Sequence, residues 1–212
     1  MLVFDLDDTL LQQRFIEVCA RHFNFKQALD LLRQLDHDPV NLTIRIASFL
    51  KGKKLSEIRN IANAIPLVDD IQQVTAELKK RDYIIGIISD SYREVTEVIG
   101  KKIQADFWLA NELCYESDVL TGDVLIPSYF HYSDDSTCKH QVCKTNALRH
   151  ASKKYGVPFG NCIVVGDGDN DVCMIRHAGM GVAFCSTSSL LSKTANRKIN
   201  DRSFKELLEY AI

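Results

Sequence analysis

The opening run Met1-Leu-Val-Phe-Asp5-Leu-Asp7-Asp8-Thr9-Leu10 sets two carboxylates two residues apart, with a third beside them, directly after an apolar stretch. Desolvating a carboxylate is costly unless a cation or hydrogen bonds compensate it, so acids bunched at the end of a buried segment imply a counter-charge. The pattern recurs far downstream in Ile163-Val-Val-Gly166-Asp167-Gly168-Asp169-Asn170-Asp171, an apolar run breaking into an acidic turn. Taken singly, each motif has a plainer reading. Asp7 and Asp8, for example, could do no more than cap the following helix.

Three readings of the second motif compete. A calcium-binding helix-loop-helix needs glycine at the sixth position and an acid at the twelfth, where this chain has Val172 and Ala178. A dinucleotide fingerprint would place its third glycine at Asp171, whose charge repels a pyrophosphate. What remains is a strand end presenting Asp167 and Asp171 toward the same crevice as Asp5 and Asp7. Two further residues fit that crevice. Ser89 follows the apolar run Ile84–Ile88, where a hydroxyl near a helix N-terminus can hold an anion, and Lys144 lies early in the helix preceding the Asp167 strand.

The elements that must position these residues follow from periodicity. Strands are expected at Leu2–Phe4, Tyr83–Ile88, Phe107–Ala110, Cys162–Val165 and Gly181–Phe184, with a hairpin of Leu113–Tyr115 and Val119–Ile126. Between them, helical spacing covers Asp70–Lys80, Tyr92–Lys101, Lys139–Tyr155, Val172–His177, Ser189–Ala195 and Phe204–Ala211. This alternation predicts an α/β fold, a Rossmann-like parallel sheet covered by helices on both faces. Residues 11–65 carry helical patterns only (Phe15–Phe23, Lys26–Leu35, Asn41–Leu50 and Ser56–Ala64, with a break at His37-Asp-Pro39). They read as a helical cap inserted into a core made of residues 1–10 and 66–212. Ligands of open α/β sheets bind at the carboxyl ends of the strands, which is where the acids fall.

Composition narrows the class. With 46% hydrophobic and 25% charged residues the chain is an ordinary globular protein. A net charge of -2 and a pI near 6.3 carry no footprint for nucleic acid or an anionic membrane. No run is long enough to span a bilayer, and acids begin at Asp5 where a signal peptide would be basic and then apolar, so a cytoplasmic protein is expected. The seven cysteines are odd in number and lack paired-ligand spacing, which reads as reduced thiols. His131, Cys138, His140 and Cys143 fall close together without the paired spacings of structural zinc sites, and read as a polar loop entering a helix rather than a metal centre.

As an ordered set, Asp5-x-Asp7-x-Thr9, Ser89 after an apolar strand, Lys144, and Gly166-Asp167-Gly-x-Asn170-Asp171 resemble the four motifs of the haloacid-dehalogenase-like phosphohydrolases. Within them the chain is most similar to the phosphoserine phosphatases, with counterparts for the helical cap, Leu120-Thr-Gly-Asp-Val124 and Ala178-Gly-Met-Gly-Val-Ala-Phe184. The resemblance implies a phosphomonoesterase that works through an aspartyl-phosphate on a small phosphate ester, O-phosphoserine first, the alternatives being a phosphatase or phosphotransferase for another small ester and a phosphoacceptor signalling or binding domain without turnover. Asp5 would be the nucleophile, Asp7 the acid/base, and Lys144 the counter-charge. Mg²⁺ would be held by Asp5, the Asp7 carbonyl and Asp167, with Asp171 behind them, while Ser89, Asp90 and Asn170 would face the phosphate. Arg45 matches the family's cap arginine for a substrate carboxylate. The family's cap glutamate position is Arg14 here, with Glu17 one turn on, and the two glycines after the motif serine are Asp90 and Ser91. Each departure bears on which ester is bound.

Overall fold

A computed structural model describes residues 1–211, and in it Leu2–Phe4 forms strand β1 at the centre of the molecule. Side chains alternate across a strand. Leu2 and Phe4 accordingly enter one buried cluster, and Val3 enters a second one on the opposite face. A strand apolar on both faces has to be sandwiched, which a parallel sheet with helices on each side provides.

Seven strands make one sheet: β1, β2 (Ile85–Tyr92), β3 (Phe107–Glu116), β4 (Val119–Leu125), β5 (Ile163–Gly166), β6 (Met180–Phe184) and β7 (Arg197–Ile199). Their order is β4-β3-β2-β1-β5-β6-β7, and every pair is parallel except β3 with β4. The chain builds outward from β1 through β2 to the hairpin, then returns to the other side of β1 for β5. The strand order reverses at β1, so the ends of β1, β2 and β5 open into one crevice.

Ten helices complete the described residues. Four precede β2 in the inserted block: α1 (Phe15–His22), α2 (Lys26–Leu35), α3 (Pro39–Ser48) and α4 (Leu55–Ala64). The others are α5 (Ile71–Lys80), α6 (Arg93–Lys102), α7 (Lys144–Tyr155), α8 (Val172–His177), α9 (Ser189–Thr194) and α10 (Leu207–Tyr210). The inserted helices share the cluster that holds Leu2 and Phe4, to which they add Phe15, Cys19, Leu50 and Ile58. They are tied to the hairpin as well. Gly52 N–H donates to Leu120 C=O at 2.8 Å, and the Asp118 carboxylate accepts from Ser56 N–H at 2.8 Å and Ser56 Oγ at 2.7 Å. None of the described helices is long and apolar enough to cross a membrane.

Several boundaries differ from the periodicity reading, each for a local reason. Pro39 opens α3 instead of interrupting it, because proline suits the first helical position and the Asp38 side chain caps Asn41 N–H at 2.8 Å. Strand β2 runs on through Ser89 to Tyr92, with an irregularity in its pairing to β3. The two short strands expected around residues 107–115 are one, parallel to β2 in its first half and antiparallel to β4 in its second. Helix α7 starts at Lys144 rather than Lys139, since Cys143 N–H donates to Phe130 C=O (2.9 Å) and Tyr132 N–H to Gln141 C=O (2.8 Å), closing a loop before it. Strand β7 is unanticipated: three residues with two exposed cations make a weak pattern, though a fitting edge strand.

The C-terminal segment locks the central strands. Phe204 stacks on Phe184 at 4.3 Å and meets Phe4 edge-on at 5.3 Å, while the Asp70 carboxylate accepts Phe204 N–H at 3.0 Å. Truncating a fully buried aromatic typically costs about 3–5 kcal/mol. Urea unfolding of Phe204→Ala is therefore expected to lose stability in that range, and a loss below about 1 kcal/mol would detach this segment from the core.

Candidate active site

Four segments that are distant in sequence meet at the strand ends. Asp5, at the end of β1, donates its N–H to Val165 C=O at 2.9 Å and is 3% exposed. After it the chain makes a wide turn over Leu6–Leu10, with Asp8 in the left-handed region (φ 57°) and Leu11 N–H closing onto Leu6 C=O at 2.9 Å. The turn brings Asp7 Oδ1 to within 2.6 Å of Phe15 N–H, at the N-terminus of α1, and Thr9 Oγ1 to within 2.9 Å of Asp167 Oδ1. Thus the first and last motifs are joined by a direct hydrogen bond.

Asp171 is wholly buried and fully engaged. Its Oδ2 accepts N–H groups from Asp167 and Gly168, each at 3.2 Å, and its Oδ1 accepts from Lys144 Nζ at 2.8 Å. Gly166 makes this possible: a Cβ there would lie 2.4 Å from Asp171 Oδ2, so any side chain would expel the carboxylate. Lys144 Nζ also lies 2.7 Å from Asp5 Oδ1, yet that oxygen, although buried, accepts no hydrogen bond. The contact is ionic and off the hydrogen-bonding direction. Oxygens of Asp5, Asp167 and Asp171 come within 4.8 Å of one another, an all-oxygen set of the kind that holds a hard divalent cation.

The electrostatics reflect this crowding. Burial pushes the Asp5 carboxyl well above its ordinary range, Asp171 adds to the effect, and Lys144 only partly opposes it. Burial raises Asp167 to about 6, reinforced by Asp171, and burial raises Asp7 to about 6 against the pull of the Phe15 N–H. For Lys144, burial disfavours the ammonium, but Asp171, Asp5 and Asp90 together outweigh it and hold the charge in place.

Above the acids lies a cleft of about 290 Å³, lined by Asp5, Asp7, Asp90, Asp167 and Asn170 below and by Arg14 and Arg33 from the inserted helices. Ser89 is buried within β2, where its Oγ accepts Ser91 N–H at 3.1 Å. Asp90 occupies a seat fit for an anion: Asn170 Nδ2 donates to it at 2.9 Å, and Lys144 Nζ stands 3.8 Å away.

Two of the expected cap residues stand apart from the cleft lining. Arg45 does not line the cleft, because its guanidinium pairs with Asp36 at 3.1 Å and is otherwise half exposed. Glu17 does not line it either, being held by Arg33 and Lys26. Arg33, a residue outside the motifs, lines the cleft together with Arg14, its guanidinium paired with Glu17. Its helical context, Leu31-Leu32-Arg33-Gln34-Leu35, reads as an amphipathic surface, and only the packing of α2 shows where it leads. Arg14 does line the cleft, pairing with Asp8 and standing 4.0 Å from Asp167.

Comparison with known proteins converges on this architecture. The family described as haloacid dehalogenase-like hydrolase matches residues 2–176. A phosphoserine phosphatase of Methanocaldococcus jannaschii is 26% identical over 99% of this chain and 96% of its own length, and one of Wolinella succinogenes is 27% identical over 99% and 98%. Among solved structures, a substrate-bound phosphoserine phosphatase complex superposes with a TM-score of 0.82 at 23% identity, covering 100% of this chain and 97% of that one.

The raised carboxyls make a stability prediction for chelator-treated protein. Asp7 and Asp167 bind protons more tightly folded (about 6) than unfolded (3.8), so their contribution is complete at the acid side and is lost as pH rises through about 6. In EDTA, the melting temperature is expected to fall between about pH 4 and pH 6 and to level off above that, and Asp167→Asn to flatten that fall. Identical slopes for wild type and variant would remove Asp167 as a strained acid.

Proposed function

The chain belongs to the haloacid dehalogenase-like hydrolases, and we propose that it is a Mg²⁺-dependent phosphomonoesterase working through an aspartyl-phosphate, with O-phosphoserine the leading substrate. One observation carries the reading. Asp5 presents a buried oxygen without a hydrogen bond at the floor of a cleft, flanked by an ammonium and two further carboxylates. A carboxylate oxygen shielded from water and held only by an ionic contact with Lys144 is a poor structural element and is suited to nucleophilic attack.

In the proposed cycle an Asp5 oxygen attacks phosphorus and the bond from phosphorus to the ester oxygen breaks. The Asp7 carboxyl, near-neutral in its pKa, delivers its proton to the leaving alkoxide. Water then attacks the acyl phosphate while Asp7 takes back a proton, and inorganic phosphate leaves Asp5 free. Lys144 stays charged throughout, held between Asp5 and Asp171. The oxygen donors of Asp5 and Asp167, with the Asp7 carbonyl, would hold Mg²⁺ and Asp171 would steady the set. When bound, the ion offsets the mutual repulsion of carboxylates and phosphate dianion. The donor set suits it, since all members are hard oxygens in a region short of positive charge.

For the substrate, the size of the cleft fits a small metabolite, and among the described residues Arg14 and Arg33 are the cations that line its cap side. A carboxylate such as that of phosphoserine would be read by Arg33 rather than Arg45. Charge-assisted contacts contribute about 1.5–3 kcal/mol, roughly 10- to 100-fold in KM. Arg33→Ala is expected to raise KM for phosphoserine by that factor while Arg45→Ala changes it little, and equal effects of the two would exclude Arg33 as the reader.

Two further outcomes follow for the chemistry. Asp5→Asn should abolish turnover across a panel of phosphorylated amino acids, sugars and nucleotides in Mg²⁺, with the fold intact by circular dichroism. Substantial remaining turnover would displace Asp5 as nucleophile. Asp90→Asn, by removing a negative charge from the seat between Lys144 and Asn170, should lower KM and strengthen inhibition by inorganic phosphate. Weaker phosphate inhibition would mean that Asp90 is not a rival for the anion site.

A further inference from the structure

A second cluster of ligating side chains lies beside the cleft and takes no part in the chemistry above. Cys138, His140, Cys143 and Cys173 each bring one donor atom, three sulfurs and one imidazole nitrogen, within 4.8 Å of one another. Cys143 is buried and immediately precedes α7, and Cys173 is the second residue of α8. Cys138 and His140 belong to a loop that leaves and returns through the pairing of His131 with Val142. The sequence groups Cys138, His140 and Cys143 with His131, whereas the structure brings Cys173 to them from α8, which follows β5 in the chain and packs beside α7.

All seven cysteines are free thiols, so the convergence is not a disulfide. Thiols are poor hydrogen-bond partners for one another, and three of them facing an imidazole need another reason to meet. Soft sulfur with imidazole, and no carboxylate in the set, selects zinc over the hard cations suited to the Asp5 cluster. Tetrahedral zinc with bonds of about 2.3 Å places its ligands about 3.8 Å apart, so the cluster has to contract by only about 1 Å. The contraction falls on residues 138–140, where Cys138 is partly exposed and Lys139 and His140 are exposed, so that little packing opposes it.

We infer that Cys138, His140, Cys143 and Cys173 form a structural Cys3His zinc site that fastens the loop of residues 131–143 to α8. Each cysteine binds as thiolate and releases its proton to solvent, and the metal remains divalent. Four protein ligands leave no open position, so the site holds structure and does not hydrolyse. Its leverage comes from its neighbours. Cys143 adjoins Lys144, and Cys173 lies two residues beyond Asp171, so the ion cross-links the two backbones that carry the 2.8 Å pair of Lys144 and Asp171. His177 Nδ1 lies 3.8 Å from the Cys173 sulfur but is engaged with Cys173 C=O at 2.7 Å, which places it behind the site.

Metal analysis of the full chain, purified in reducing buffer, tests this without reference to turnover. Wild type is expected to hold about one zinc per chain, and Cys138→Ser and Cys173→Ser less than about a tenth of that. Chelation followed by Co²⁺ addition should produce thiolate-to-cobalt charge-transfer absorption and the intense visible bands of a tetrahedral centre. Hydrogen exchange across residues 131–143 should speed up when zinc is removed. The inference is overturned by wild type that lacks zinc and gives only a weak octahedral cobalt spectrum, by zinc retained in both variants, or by a native disulfide linking Cys143 to Cys173. Because these readouts are spectroscopic and stoichiometric, they stand or fall separately from the phosphatase reading.

Discussion

The buried ammonium of Lys144, 2.7 Å from Asp5 and 2.8 Å from Asp171, is the interaction around which the molecule is arranged. Two unit charges about 4 Å apart interact by about 4 kcal/mol at an effective dielectric near 20, so one ammonium among several carboxylates governs which of them can ionise. Its partners are treated unequally. Asp171 is saturated by Lys144 and two backbone N–H groups, whereas Asp5 keeps an oxygen that accepts nothing. Two residues of the same type are thereby left in different states, one fully hydrogen-bonded and one with an oxygen held only by an ionic contact.

Holding that arrangement requires the sheet. Parallel strands β1 and β5 lie side by side, in register from Leu2 with Ile163 to Phe4 with Val165, so Asp5 and Asp167 leave the sheet within one residue of the same level. Backbone approach does the rest: the absent side chain of Gly166 leaves room for the Asp171 carboxylate, and the left-handed Asp8 turns the chain so that Thr9 reaches Asp167. Clustering acids in this way is unfavourable on its own. The apolar packing of β1 on both faces, closed at one side by Phe204, supplies the compensating stability.

The cap side of the cleft is built differently, from long charged side chains that choose among partners. Arg33, Glu17 and Lys26 form one group, Arg14 and Asp8 another, and Arg45 and Asp36 a third. Only the first two groups bring a cation to the cleft. Asp90 plays the opposite part from below, filling with its own carboxylate the place between Asn170 and Lys144. The lining on the α1–α3 side of the cleft thus rests on a competition among side chains, while the acidic cluster at the strand ends rests on backbone geometry.

That contrast separates what was legible in the residues from what was not. An apolar strand followed by acids, repeated at Asp5 and Asp167, identifies strand ends and the acidic cluster gathered there, because burying charge is costly enough to leave a local pattern. The alternation of helix and strand likewise predicts the parallel sheet, because amphipathic periods are local. Nothing local separates Arg33 from Arg45, since both sit on exposed helical spacings and only the packing of α2 and α3 decides which one meets the cleft. Nor could spacing alone reveal that Cys173 joins Cys138, His140 and Cys143, or that Lys144 begins α7 after a closed loop. Contacts between residues far apart along the chain are set by how the helices settle on the sheet, and that settling is a property of the whole core rather than of any segment.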